Sequence, residues 1–188
     1  MNFTRVIAGR FKGRKIALPE SGFTRPTKSI VRGSIFDTLL DEVASHPFVE
    51  LFAGSGSVGL EAASRGCEKV IFLERDPAAL KTLEENIRSL GFGGAEVIGG
   101  DTFKTAREVI DLLRKAKQRA WFYADAPFGT EAQTETLIAA LPPDVAHGVI
   151  VEHISGYKPP CATVYCDLIK KRRFGRTSIS YYKCGYDV

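Results

Sequence analysis

PFVELFAGSGSVG, residues 47–59, is the stretch that decides the fold. Its first six residues form an apolar run that reads as a buried strand, and SVGLEAAS continues as a helix to about Arg65. Between them Gly54, Gly56 and Gly59 spell G-x-G-x-x-G. Glycines at those positions let the backbone turn tightly and come close to a ligand, and the helix N-terminus offers unpaired N–H groups. Glu74 closes the next strand, KVIFLE (69–74), eighteen residues after Gly56. A carboxylate there can accept both hydroxyls of a ribose.

Working outward, apolar runs alternate with helix-period stretches. Thr4 to Ala8 and Arg14 to Leu18 flank Gly9 and Gly13 and suggest a short β-hairpin. Ile30, Val31, Ile35, Leu39, Leu40 and Val43 recur at helical spacing between Thr27 and Ser45. Asp76 as N-cap, Pro77 at the first turn and Gly91 as the stop bound a further helix. AEVIGG (95–100), AWFYAD (120–125) and GVIVEHI (148–154) read as strands, with helices over 103–117 and 131–141. TVYCDLI and TSISYYKC then form two β-rich runs, expected to be joined by the basic KKRRFGR. This order indicates an α/β fold with a doubly wound, mainly parallel sheet and an antiparallel end. The expected division is a basic N-terminal hairpin extension over 1–26 and one α/β domain over 27–188.

The net charge of +4 hides an uneven distribution. Residues 1–32 carry +7, residues 33–157 carry −8 and residues 158–188 carry +5. Two basic ends around an acidic middle suggest a polyanion-binding surface built from the termini. No apolar run approaches the roughly 18–20 residues of a membrane span, and the N-terminus has no apolar signal core, so a cytoplasmic protein is expected. Cys67, Cys161, Cys166 and Cys184 include no CxxC pair and no zinc-finger spacing with the three histidines. They are expected to be reduced thiols packed as small apolar residues, and no metal is expected.

A ribose-bearing ligand leaves a nicotinamide dinucleotide or S-adenosyl-L-methionine. A chain of 188 residues leaves little room for the second half that a dinucleotide enzyme needs. Glu50, ending the first strand, offers a carboxylate to a cationic amino-acid cofactor, and Asp101 can accept from an adenine amine. The acidic centre favours S-adenosyl-L-methionine. Strand 120–125 ends in Asp125-Ala126-Pro127-Phe128, beside the cofactor crevice by the switch-point rule. Acceptors on the N–H groups of an exocyclic amine localise its lone pair toward a methyl donor, and an aromatic ring can hold the base. Asp125, the Ala126 carbonyl and Phe128 supply those parts, and Pro127 keeps Ala126 extended. A carboxylate accepts only, which suits guanine's adjacent N1–H and N2 donors better than adenine's edge.

Several segments together are specific. RVIAGRFKGRKI (5–16), RPTKSIVRGSIFDTL (25–39), ELFAGSGSVGLEAASRG (50–66), FLERDPAAL (72–80), DAPF (125–128), VEH (151–153) and FGRTSISYY (174–182) resemble the bacterial 16S ribosomal RNA guanine-N2 methyltransferase family of the RsmD type. The resemblance implies a class I methyltransferase fold, Rossmann-like with a seven-stranded sheet, that methylates one guanine N2. It implies Glu50, the loop Phe52, Ala53, Gly54, Ser55 and Gly56, Glu74 with Arg75, and Asp101 with Thr102 as the cofactor site. Asp125, Ala126, Pro127 and Phe128 match the catalytic corner. Arg10, Lys12, Arg14 and Arg25 would contact RNA, with Thr27 and Arg32 closing over the reaction centre. The implied partner is 16S ribosomal RNA or the assembling 30S subunit, bound by a monomer. Glu50 stands where the family usually has Asp, Ala126 replaces its first catalytic proline, and Gly33 replaces a common acid. The alternatives are the same chemistry on another planar amine, such as an adenine of DNA or RNA, and an RNA-binding assembly factor weakened by Ala126.

Overall fold

The computed structural model describes residues 2–19 and 27–185. Seven strands form one sheet: β3 (Phe48–Glu50), β4 (Val70–Glu74), β5 (Ala95–Gly99), β6 (Ala120–Asp125), β7 (Ala146–Ile154), β8 (Cys166–Phe174) and β9 (Thr177–Cys184). Their order is β5-β4-β3-β6-β7-β9-β8, parallel through β7 and antiparallel at β9 and β8. Alternate residues of each strand serve opposite layers. Phe48, Phe72 and Tyr181 pack beneath α1 (Ser29–Leu39), α3 (Ser57–Ser64) and α4 (Pro77–Leu90). Val49, Leu73, Phe122 and Val149 pack beneath α5 (Thr102–Lys115) and α6 (Glu131–Ala139).

The most locally encoded helix is α4. The Asp76 side chain accepts from the Ala79 N–H at 2.8 Å, Pro77 opens the first turn, and Gly91 ends the helix at φ +67°. The expected helix over 27–45 is instead α1 followed by the single turn α2 (Glu42–Ser45), broken where Leu40 adopts φ +48°. The N-terminal hairpin, β1 (Phe3–Arg5) with β2 (Lys15–Ala17), docks on α3 and α4. Glu61 of α3, fully buried, accepts from the N–H groups of Ile7 (2.8 Å) and Ala8 (3.0 Å). Ser64 receives Arg10 N–H on its carbonyl and Phe11 N–H on its hydroxyl. A Cβ at Gly9 would lie 1.9 Å from the Ser64 carbonyl, so only glycine permits this approach.

Two expectations are corrected at the C-terminus. KKRRF is not a connection but the second half of β8, and the turn shrinks to Gly175-Arg176, with Gly175 at φ +65°. β8 is an edge strand, where cations stay solvated and discourage pairing with another chain. Cys166 and Cys184 are not reduced thiols: they face each other across β8 and β9, Cα–Cα 4.0 Å, and form a disulfide. Cys67 is buried as a small apolar residue would be, whereas Cys161 is exposed. Among the described residues no helix is long and apolar enough to cross a membrane.

Candidate active site

The chain steps from β3 to β4 on one side and returns to β6 on the other, so the strands part at their C-terminal ends. There a cleft of about 1170 Å³ opens. Glu50, Glu74, Asp101 and Asp125, each at or just past the end of a successive strand from β3 to β6, all line it.

The loop over Phe52–Gly56 forms one wall, with Gly54 at φ +53° and Gly56 at φ +74°. Glycine is required at 59 for packing: a Cβ there would sit 2.5 Å from the Phe72 ring and 2.8 Å from Glu50 Oε2. Glu50 is 2% exposed and accepts from Gly59 N–H at 2.8 Å and Val58 N–H at 3.3 Å. Burial pushes its carboxyl up to about 8, against the pull of those two N–H groups and the Arg32 cation. Glu74 accepts from Gly54 N–H at 2.6 Å and from the N–H groups of Arg75 and Asp76 at 2.8 Å, so it shapes the loop it faces. Asp101 caps α5 through Phe103 N–H at 3.1 Å, and Thr102 is buried, its hydroxyl given to the Leu51 carbonyl. Phe52 and Phe103, ring centroids 5.6 Å apart, add an aromatic wall in which Phe103 was not expected. Acidic groups at four strand ends, a loop whose backbone is bare at Gly54 and Gly56, and an aromatic wall suit a cation that also carries a diol and a flat base. Among the described residues no group of side chains could hold a metal ion.

Asp125 ends β6 at the cleft, and Ala126, Pro127 and Phe128 continue along its wall. The corner is closed by Thr130, whose hydroxyl donates to the Pro127 carbonyl at 2.6 Å. Phe128 is 84% exposed, an aromatic side chain on the cleft wall that takes no part in the core. Beneath the corner lies a hydrogen-bond chain absent from the sequence reading. The Tyr123 hydroxyl donates to Glu152 Oε2 at 2.7 Å and lies 3.0 Å from Thr27 Oγ1. Burial and the neighbouring carboxylates of Glu152 and Asp125 push the Tyr123 phenol well above its usual range, so it stays a donor. Period-two spacing from Asp125 to Tyr123 could have signalled the tyrosine.

The basic residues separate into two kinds. Arg10, Lys12 and Arg14 are exposed on the hairpin, Arg10 over the Phe11 ring at 4.6 Å and Arg14 donating to the Ser89 carbonyl. Arg25 lies outside the described residues. Arg32, expected to close over the reaction centre with Thr27, is fully buried and is not among the residues that line the cleft. It donates to the Arg5 carbonyl at 2.6 Å and Thr4 Oγ1 at 3.2 Å, and lies 3.8 Å from Glu61, so it ties the hairpin to the core. Thr27 is buried on the cleft wall. Arg173 and Arg176, at the β8–β9 turn, are exposed and line the cleft without having been singled out.

The chain matches the family described as conserved hypothetical protein 95 over residues 4–183. Ribosomal RNA small subunit methyltransferase D of Escherichia coli (strain K12) is 32% identical over 133 residues, 71% of this chain and 64% of that protein. The match therefore spans a little under two thirds of that relative's length. A putative rRNA methyltransferase, YlbH of Bacillus subtilis (strain 168), is 29% identical over 187 residues, 95% of this chain and 98% of its own. The solved structure of the putative methyltransferase yhhF from Escherichia coli superposes with a TM-score of 0.80 at 24% identity, covering 99% of this chain and 100% of that one. The likeness and the sheet order show the class I methyltransferase fold.

Proposed function

The chain belongs to the family described as conserved hypothetical protein 95, and on that premise we propose that it methylates the N2 amine of a guanine in 16S ribosomal RNA, using S-adenosyl-L-methionine. The observation that carries the reading is the single cleft, which joins the glycine loop, four strand-end carboxylates and the Asp125–Phe128 corner. The two relatives described above, one named an rRNA methyltransferase and the other a putative rRNA methyltransferase, support it.

When bound, the cofactor supplies an electrophilic methyl on a sulfonium. Glu50 would hold its ammonium and Glu74 its ribose, with Phe52, Ala53, Gly54, Ser55, Gly56 and Arg75 around them and Asp101, Thr102 and Phe103 beside its adenine; all of these line the cleft except Gly56, which lies in the loop. Phe128 stacks on the target guanine. Asp125 and the Ala126 carbonyl accept from its N2 hydrogens, aim the lone pair at the methyl, and Asp125 receives the proton released. Catalysis is orientation plus fixed charge. Arg10, Lys12, Arg14 and Arg25 hold RNA phosphates, with Thr27 against the reaction centre. The partner is 16S RNA or an assembling 30S subunit, met by a monomer in the cytoplasm.

The test is transfer of labelled methyl to 30S particles, free 16S RNA, DNA and protein, followed by nucleoside analysis. Label in N2-methylguanosine is expected, with Asp125→Ala losing transfer while still binding cofactor. Label in adenine would replace the substrate, near-normal turnover by Asp125→Ala would remove its role, and tight RNA binding without transfer would favour the assembly factor.

A further inference from the structure

Among the cleft-lining carboxylates without a part in the chemistry above, Glu152 is the one paired with Asp125 across the sheet. Glu152 lies on β7 directly opposite Asp125 on β6, and the two strands are parallel. Paired residues of parallel strands leave the sheet on the same face at the same level, so both carboxylates enter the cleft from neighbouring positions. Tyr123, two residues before Asp125, shares that face and holds Glu152 through its hydroxyl at 2.7 Å. Its single hydrogen goes to the carboxylate, so the 3.0 Å contact with Thr27 Oγ1 runs the other way, with threonine donating. A directed chain results, from Thr27 to Tyr123 to Glu152. Tyr123 is 1% exposed and Thr27 8% exposed, so the first two members of the chain are buried in the cleft wall.

A buried relay ending in an oriented acceptor beside the catalytic carboxylate has a chemical meaning. Guanine's Watson–Crick edge presents N1–H next to the N2 amine, and one carboxylate engaged with the amine leaves N1–H to a second acceptor. We propose that Glu152, oriented by Tyr123 and Thr27, is the specificity residue that accepts from guanine N1–H while Asp125 serves N2. Adenine presents a lone pair at N1, which the carboxylate repels. The inference rests on the guanine-N2 reading above and deepens it: Asp125 makes the amine reactive, and Glu152 decides which base delivers it. Glu152 touches the substrate; Tyr123 acts through it, as a positioning residue.

2-Aminopurine separates the two roles, because it keeps the N2 amine and replaces N1–H with an acceptor. The substrate is ligated 16S RNA assembled into small subunits, carrying guanine or 2-aminopurine at the position that the wild-type protein labels. The wild-type protein is expected to favour guanine by about tenfold or more in kcat/KM. Glu152→Gln, whose amide can donate to N1 of 2-aminopurine, is expected to bring that ratio to about one or invert it, with cofactor affinity unchanged. The missing O6 weighs on both proteins equally, so the change in ratio is the readout. Tyr123→Phe keeps the ring and removes the hydroxyl, and is expected to lower the ratio in the same direction. An unchanged ratio in Glu152→Gln overturns the inference while guanine methylation by the wild-type protein leaves the functional reading standing. A lowered ratio in Glu152→Gln alone keeps Glu152 as the reader and removes Tyr123 as its support. No label on any guanine by the wild-type protein overturns both.

Discussion

Cofactor binding should release a proton, and the group responsible is Glu50. Its carboxyl is 2% exposed, with burial holding it at about 8 even though two backbone N–H groups and Arg32 favour the charged form. At pH 7, one unit below that value, about nine in ten free molecules carry the proton. An ammonium brought to the carboxylate requires the ionised form, so about 0.9 proton leaves on binding at pH 7 and about 0.1 at pH 9. The linked affinity gain between those pH values is about tenfold, or roughly 1.4 kcal/mol. Calorimetry in buffers of different ionisation enthalpy measures both quantities, and Glu50→Gln reports whatever the ligand's own amine contributes. An identical pH dependence in Glu50→Gln and the wild-type protein would refute the assignment. The same group fixes a sign for stability. Its folded value lies above the unfolded one, so its contribution is complete below pH 4.5 and is lost as the pH rises through 8. Urea midpoints should therefore fall over that range less steeply in Glu50→Gln.

Three further outcomes are expected. Glu61→Ala strands the buried Arg32 guanidinium and the N–H groups of Ile7 and Ala8, and should cost about 3–5 kcal/mol in urea unfolding; a loss within about 1 kcal/mol would mean that the hairpin is held elsewhere. Gly59→Ala forces a methyl against Phe72 and Glu50 and should cost about 1–3 kcal/mol with weaker cofactor binding, whereas Gly93→Ala, in open space, should stay within about 0.5 kcal/mol. Arg10→Glu and Lys12→Glu should each lower the salt slope of RNA binding by roughly 0.7–0.9 and leave cofactor affinity alone, and an unchanged slope would remove the hairpin from the RNA interface.

What the sequence disclosed follows from how local each signal is. The bounds of α4 are written in Asp76 and Pro77 at one end and Gly91 at the other, each acting on its own stretch of backbone. Strand β6 is bounded as expected because its apolar run meets Asp125 at one end. The loop glycines were legible for the same reason. Arg32 was not, because a positive charge carries no direction: its burial depends on Glu61, twenty-nine positions away, and on carbonyls of the hairpin. The Cys166–Cys184 pairing depends on a register shift between Leu168 and Lys170, which no spacing rule supplies. Glu152 was visible in VEH, but its orientation needs Tyr123 from a neighbouring strand.

Helix α3 has different obligations at its two ends. The glycine loop enters at Ser57, and the hairpin is fastened to Glu61 and Ser64. Eight residues at 1.5 Å each make a rigid spacer of about 12 Å. The span between the glycine loop and the hairpin is thereby set as a ruler sets a length, without a flexible joint between them. Lengthening the helix by one residue would turn the hairpin's anchor points by about 100° around the axis. Reach and direction are thus inherited together, and because all eight residues are buried the segment is constrained in composition as well as in length.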